Sequence, residues 1–351
     1  MTDIRVLIVG TGGMANDHAE AYAKMAGVQV VCGVDTDPDR LAAFRKKHGI
    51  PHGFGSVAKA IAWGGFDAVS NVTPDAVHYA TTMPLLAAGK HVLCEKPLAA
   101  NATDASRMTQ AAADAGVVNM VNLTYRNVPA LVAAAQMVAD GQIGEVRHFE
   151  AAYLQSWLTQ PGWGDWSTEG QWLWRLSTQH GSMGVLGDVG VHILDYASFV
   201  AGADAASVSC RLTTFDKAEG NQIGEYPLDA NDSMNMHLRL SNGAVGVIHA
   251  SRFASGHLND LSLRIFGTKG GLNVRFENSK SSLHACLGTN LEAAKWVDVQ
   301  TPDVPTNYVR FIEAVRAGAR VLPDFARGAA LQAVLDLAVQ SDADGSRDRP
   351  V

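Results

Sequence analysis

Two side chains four residues apart, Asp188 and His192, and a lysine held beside a proline, Lys96, are the groups of this 351-residue chain best placed by type and spacing to handle a proton. On a helix, positions i and i+4 share a face. An aspartate there can orient an imidazole and stabilise its cation during proton transfer. Asp195 and Phe199 continue the same face. A capping aspartate and a core histidine would show the same spacing, so the choice rests on the surrounding fold. Lys96 lies between Glu95 and Pro97 at the end of an apolar run. A proline that restricts the backbone at a strand end points to a site role rather than a loose surface cation.

The element that must position these groups is the stretch from Val6 to Asp35. An apolar run, Val6 to Val9, leads into Gly10-Thr11-Gly12-Gly13-Met14-Ala15, then a helical segment to about Ala26 and a second apolar run, Val28 to Val34. Unbroken apolar runs read as parallel strands buried on both faces. Gly10 permits the tight turn, Gly12 lets the backbone approach a pyrophosphate, and Ala15 is small enough for close helix–strand packing. The helix N-terminus offers free N–H groups and a positive dipole end to phosphates. Asp35 ends the second strand, where a carboxylate can accept hydrogen bonds from a ribose diol. Strand, loop, helix, strand and acid fall in the order that dinucleotide binding requires.

Further along, helices are expected over Pro38–His48, Ser56–Trp63, Asp75–Ala88 and Asn101–Ala115, with strands over 67–72, 91–94 and 117–121. This alternation predicts an α/β domain with a doubly wound parallel sheet over residues 1–122. Its strand ends carry Gly10, Asp35, Thr73, Pro74, Lys96 and Asn122, where ligands of such sheets bind. The pattern then changes. A helix over Pro129–Asp140 precedes strands over 146–157, 206–215, 232–240, 244–253 and 260–266, with an Asn242-Gly243 hairpin turn and a Gly270-Gly271 break. Residues 123–351 are therefore expected to form an α+β domain with a large, open, mostly antiparallel sheet, serving substrate binding and oligomerisation. Helices are expected over 182–200, 305–317 and 327–340, and a frayed tail over 341–351.

The net charge of −7 argues against nucleic acid or an anionic membrane as partner. Cys32, Cys94, Cys210 and Cys286 are widely spaced and form no metal-binding pattern, and no metal is expected. The first strand begins so near the start that no leader is expected, and no apolar run is long enough to span a membrane. A cytoplasmic protein with reduced core cysteines is the resulting expectation. His18, His48, His52 and His91 have no partners at ligand spacing and read as core or surface residues.

Several elements together resemble the Gfo/Idh/MocA oxidoreductases, a family named for glucose–fructose oxidoreductase, inositol dehydrogenase and rhizopine catabolism proteins. They are Gly10–Ala15, Thr73-Pro74 with His78, Glu95-Lys96-Pro97, Arg126 with Pro129, Trp174-Arg175, Asp188 with His192, and Pro323-Asp324 to Gly328. The resemblance implies an NAD-dependent sugar or inositol-type dehydrogenase, with hydride passing between nicotinamide and a secondary alcohol of a sugar, anhydrosugar or cyclitol. Lys96, Asp188 and His192 become the catalytic group. Gly10, Gly12, Gly13, Met14, Asp35, Thr73, Pro74, His78, Glu95, Lys96, Asn122 and Arg175 become cofactor contacts. Lys96, Tyr125, Arg126, Gln155, Trp174, Arg175, Asp188 and His192 become substrate contacts. In this reading His192 is the base and Lys96 a charge-stabilising donor; the alternative makes Lys96 the base. An NAD-using glycosidase and a non-catalytic dinucleotide sensor remain open. NAD is preferred to NADP because Asp35 would repel a 2′-phosphate, with Arg40 the one cation able to fold back. The Lys96–Pro97 bond is expected to be cis. A homodimer or homotetramer is expected, since the second sheet has helices for one face only. The tryptophans of segment 163–174 read either as a packed loop or as a wall against sugar C–H faces.

Overall fold

Six short strands, the central ones almost wholly buried, build the first sheet of the structure, a computed structural model that describes residues 3–351. In chain order they are β1 (Ile4–Val9), β2 (Val28–Val34), β3 (His52–Phe54), β4 (Ala68–Asn71), β5 (His91–Cys94) and β6 (Asn119–Val121). They pair in parallel in the order β3-β2-β1-β4-β5-β6. The helices between them are α1 (Gly13–Ala23), α2 (Pro38–His48), α3 (Val57–Trp63), α4 (His78–Ala87) and α5 (Ala102–Asp114). Local chemistry sets their ends. Asp37, Ser56 and Asn101 cap α2, α3 and α5 through their side chains, and Gly49 and Gly64 close α2 and α3 in the left-handed region.

The first compact unit comprises residues 1–123 together with 305–332, so the chain returns to it near its end. This differs from the expected single boundary at 122/123. Tyr308, Phe311 and Ile312 of the helix Asn307–Ala317 join the core that holds Val6, Ile8 and Leu93. Periodicity marks such a helix but not the core it joins.

The second unit, residues 124–304 with 333–351, is built on a nine-stranded sheet. Its order is Val297–Asp298, Lys280–Leu287, Gly270–Glu277, Asp260–Gly267, Val146–Leu154, Val245–Ser251, Ser233–Leu240, Ala205–Thr213, Arg349–Pro350. All described pairings are antiparallel except Val146–Leu154 with Val245–Ser251. The helices Pro129–Ala139 and Val191–Ala201 pack on it. Two expectations fail here. The helix expected over 182–200 is a π-helix over Leu186–Gly190 followed by an α-helix from Val191, so Asp188 sits on a widened turn. The tail is not frayed. Arg349–Pro350 pairs with Ala205–Thr213, and Ser341 Oγ accepts from the Cys210 N–H and donates to the Arg347 carbonyl. No helix among the described residues is long and apolar enough to cross a membrane.

Candidate active site

The loop after β1 has the form of a phosphate cradle. Gly10 has φ of +84°, and a Cβ there would lie 2.7 Å from the Val72 carbonyl oxygen, so only glycine fits. At Gly12 and Gly13 a Cβ would meet nothing within 4 Å, which leaves open space beside the backbone. Gly12 precedes α1 without any side-chain cap, and Met14 is exposed, so the first N–H groups of α1 remain available to an anion. These residues fit a pyrophosphate.

Asp35 ends β2 as expected, but it is already engaged. It accepts from Thr11 N–H (2.8 Å), Thr11 Oγ1 (2.7 Å) and Asp37 N–H (2.9 Å), and from Arg40 Nε (3.0 Å) and Nη2 (2.9 Å). Burial would raise its pKa, yet the Arg40 guanidinium and these donors hold it below the usual carboxylate range. Arg40 therefore does fold back, and a ribose diol must displace it. Its side chain is half exposed, so the pair is worth at most about 1 kcal/mol. Arg40→Ala is expected to lower the KM for NAD by up to about fivefold and to worsen NADP, which loses a cation and meets a bare carboxylate. Steady-state kcat/KM with each cofactor checks this, and an improvement with NADP would refute it.

Lys96, half-buried, is carried on a turn whose supports use up several expected ligand contacts. The Lys96–Pro97 bond is cis, as expected. Glu95 Oε1 accepts from His18 Nε2 (2.8 Å) and Asn122 Nδ2 (2.6 Å). Burial opposes the charge of Glu95, but the His18 and Asn122 donors outweigh it and lower its pKa to about 2. Asn122 also donates to Tyr308 Oη (3.3 Å) and accepts from Asn307 Nδ2 (3.1 Å). Glu95 and Asn122, expected to touch the cofactor, are buried and committed to one another instead. His18, read as a core or surface histidine, is buried and belongs to this network. Its partner lies 77 residues away, beyond any spacing rule.

His78, also expected at the cofactor, is buried as well. Its Nδ1 lies 2.8 Å from the Pro97 carbonyl and its Nε2 2.8 Å from the Thr73 carbonyl. Both acceptors require an N–H, which calls for the imidazolium. Burial opposes this, but the Cys94 sulfur and the Pro97 carbonyl prevail and the pKa rises to about 9. A folded-state pKa above the unfolded value of ~6.5 stabilises the fold fully below that pH, and the contribution is lost as pH rises through about 9. A melting temperature that falls over this window in the wild type, but not in His78→Gln, is the expected result. Equal slopes would refute it. Thr73 has its own anchor, donating from Oγ1 to Asn71 Oδ1 at 2.8 Å.

In the second unit His192, only 6% exposed, meets the Tyr125 ring edge-on at 4.9 Å between centroids. The Tyr125 hydroxyl belongs to a closed ring of hydrogen bonds. It donates to Tyr153 Oη (2.5 Å), Tyr153 donates to Asn259 Oδ1 (2.6 Å), and Asn259 Nδ2 donates back to Tyr125 Oη (2.8 Å). Gln155 donates to Asn259 Oδ1 (2.9 Å) and accepts from Trp157 Nε1 (3.2 Å). The Tyr125 and Tyr153 rings thus form a wall beside His192, with their hydroxyls and the Gln155 amide engaged in this network. Asn259 was not anticipated.

Asp188 carries two arginines, Arg175 Nη1 at 3.1 Å and Arg252 Nη2 at 3.1 Å. Arg252 is fully buried, reaches the Arg175 carbonyl at 3.1 Å and lies 5.0 Å from the Trp157 ring. Burial pulls its pKa down from the usual value, with Asp188 opposing. A signal for Arg252 existed. It continues the inward register of Gly246, Ile248 and Ala250, all buried, and a charge in that register needs a buried partner. Arg175 also stacks 4.8 Å from the Trp174 ring. Arg126, expected to bind substrate, is instead buried, with Nε and Nη2 on Asp195 at 2.6 and 2.8 Å and its guanidinium 3.6 Å from the Phe199 centroid. Asp195 and Phe199 do share a face, and that face serves Arg126.

A model described as an oxidoreductase family with an NAD-binding Rossmann fold matches residues 4–123, and a GFO/IDH/MocA C-terminal domain matches residues 131–273. The chain is similar to a levoglucosan dehydrogenase of Pseudarthrobacter phenanthrenivorans, 26% identical over 98% of this chain and 97% of that protein. It is also similar to a 1,5-anhydro-D-fructose reductase of Ensifer adhaerens, 30% identical over 76% of this chain and 74% of that protein. Among solved structures, a levoglucosan dehydrogenase in complex with NADH and levoglucosan superposes with a TM-score of 0.87 at 26% identity, covering all of both chains.

Proposed function

Because the chain belongs to the Gfo/Idh/MocA family of NAD-binding oxidoreductases, we propose that it transfers hydride between nicotinamide and one secondary alcohol of a sugar, anhydrosugar or cyclitol. The observation that carries this reading is His192 beside the Tyr125 and Tyr153 rings, whose hydroxyls are hydrogen-bonded to Asn259 and, through its amide oxygen, linked to Gln155. Such a wall keeps an imidazole in one orientation in a setting suited to a polyol. The relatives named for an anhydrosugar and an anhydroketose support the substrate class.

In the oxidative direction the bound nicotinamide supplies the hydride acceptor. Gly10, Gly12, Gly13 and the start of α1 would hold the pyrophosphate, and Asp35, now paired with Arg40, would accept from the ribose diol. An imidazole nitrogen of His192 removes the proton of the reacting hydroxyl. The Lys96 ammonium favours the alkoxide that develops as the proton leaves. Asp188, held between Arg175 and Arg252, keeps a fixed negative charge on the π-turn that precedes His192 in the chain. Glu95, Asn122 and His78 position the Lys96 turn. The test is NADH absorbance with a panel of aldoses, anhydrosugars, glycosides and cyclitols. Binding of NADH with no turnover on any of them would overturn the proposal.

A homo-oligomer completes this reading. The sheet's inward register 246, 248 and 250 is buried, whereas Val245 and Val247 on the other register are 40% and 36% exposed. Exposed valines on a broad sheet favour a face-to-face contact with a second copy. A monomer by light scattering at micromolar concentration would refute it. Four free, buried cysteines fit a reducing, cytoplasmic compartment.

A further inference from the structure

We propose that a cavity beside the Tyr125 wall is a subsite for a second sugar ring, so that the preferred substrate is a disaccharide oxidised on one of its two rings. The proposal rests on the sugar-dehydrogenase reading above and narrows it.

The cavity, about 270 Å³, is lined by Trp163, Leu258, Asn259, Phe276, Asn278 and Ser279. No charged side chain is among them, so it offers nothing to a phosphate or carboxylate. An indole and a phenyl ring provide apolar faces for sugar C–H groups, and two amides and a hydroxyl provide donors and acceptors for sugar hydroxyls. Its volume lies just below the range of roughly 300–1,000 Å³ typical of drug-sized ligand pockets, which suits one ring and not a chain of them. A larger cavity, about 380 Å³, lies in the first unit around Val117, Asn119 and Arg320. It sits at the start of β6, away from the strand ends where ligands bind.

The smaller cavity is tied to His192 through one residue. Asn259 donates to Tyr125 Oη at 2.8 Å, the Phe276 and Tyr125 rings meet edge-on at 5.7 Å, and Tyr125 meets His192 at 4.9 Å. A ring held at His192 and this compartment thus have Tyr125 as a shared neighbour. The hairpin Asn278-Ser279 adds a second indication. Both residues have positive φ, +51° and +60°, where glycine would be unstrained. Asparagine is at home there, but serine is not, and Ser279 places a hydroxyl among the lining residues. The chemistry remains that of the proposed reaction. One C–H gives hydride to NAD, the adjacent O–H gives its proton to His192, the alcohol becomes a ketone, and the glycosidic bond stays intact.

The test compares kcat/KM with NAD for glucose, methyl glucosides and the gluco-configured disaccharides maltose, cellobiose and trehalose, in the wild type, Trp163→Ala and Ser279→Gly. The expected result is a disaccharide preferred at least tenfold over every single-ring sugar. Trp163→Ala should lower disaccharide kcat/KM at least tenfold and leave the single-ring value within twofold. Ser279→Gly, which relieves the backbone and cannot fail for strain, should lower the disaccharide value alone by threefold or more. Single-ring sugars turned over as well as disaccharides, or variants that change both alike, would overturn the subsite and leave the dehydrogenase reading intact. No turnover of these sugars or of the wider panel of aldoses, anhydrosugars and cyclitols, with NADH still bound, would overturn both.

Discussion

Replacing His192 with asparagine lowers kcat by roughly 10²–10⁴, the usual cost of losing a general base, while NAD affinity is kept. Asparagine is similar in size and retains polar atoms beside the Tyr125 ring, but it cannot take a proton. The Tyr125–Tyr153–Asn259 ring closes on itself without the imidazole, so the wall should stand in the variant. The residual rate should climb with pH on the alkaline side, where hydroxide replaces the missing base. Steady-state kinetics across pH and a fluorescence titration with NADH separate the effects. Near-normal kcat with an unchanged pH profile would make His192 a structural residue.

Lys96→Met should be at least as damaging. Methionine keeps the length and apolar stem of lysine and removes only the ammonium. The turn beneath it is secured independently, by Glu95 on His18 and Asn122 and by His78 on the Pro97 carbonyl, so folding should be spared. Removing one preorganised charge or donor from a developing oxyanion costs on the order of 10²–10³ in kcat, and the lost substrate contact adds to it. The loss should reach both kcat and kcat/KM, because the interaction matures in the transition state. Lys96→Arg should recover little, since a planar fork does not reproduce a compact charge. A Lys96→Met enzyme within threefold of wild-type kcat would remove Lys96 from the chemistry.

The sequence by itself determined the dinucleotide half almost element by element, because its rules are short-range. Capping side chains at Asp37, Ser56 and Asn101, the turn glycine at Gly10 and apolar runs of four to seven residues are all local properties. The hairpin at Asn242-Gly243 and the alternation along 245–251 were legible for the same reason. The acid–base candidates could be named from type and spacing alone. Their partners could not. His18 meets Glu95 across 77 residues, Arg126 meets Asp195 across 69 and Arg252 meets Asp188 across 64. Local periodicity says which face of an element is apolar, not which buried charge that face will meet. The same limit hid the return of residues 305–332 to the first unit and the strand made by Arg349–Pro350. Tertiary structure decided which expected ligand contacts are supports instead, because a buried polar group must be satisfied by whatever the fold brings near it.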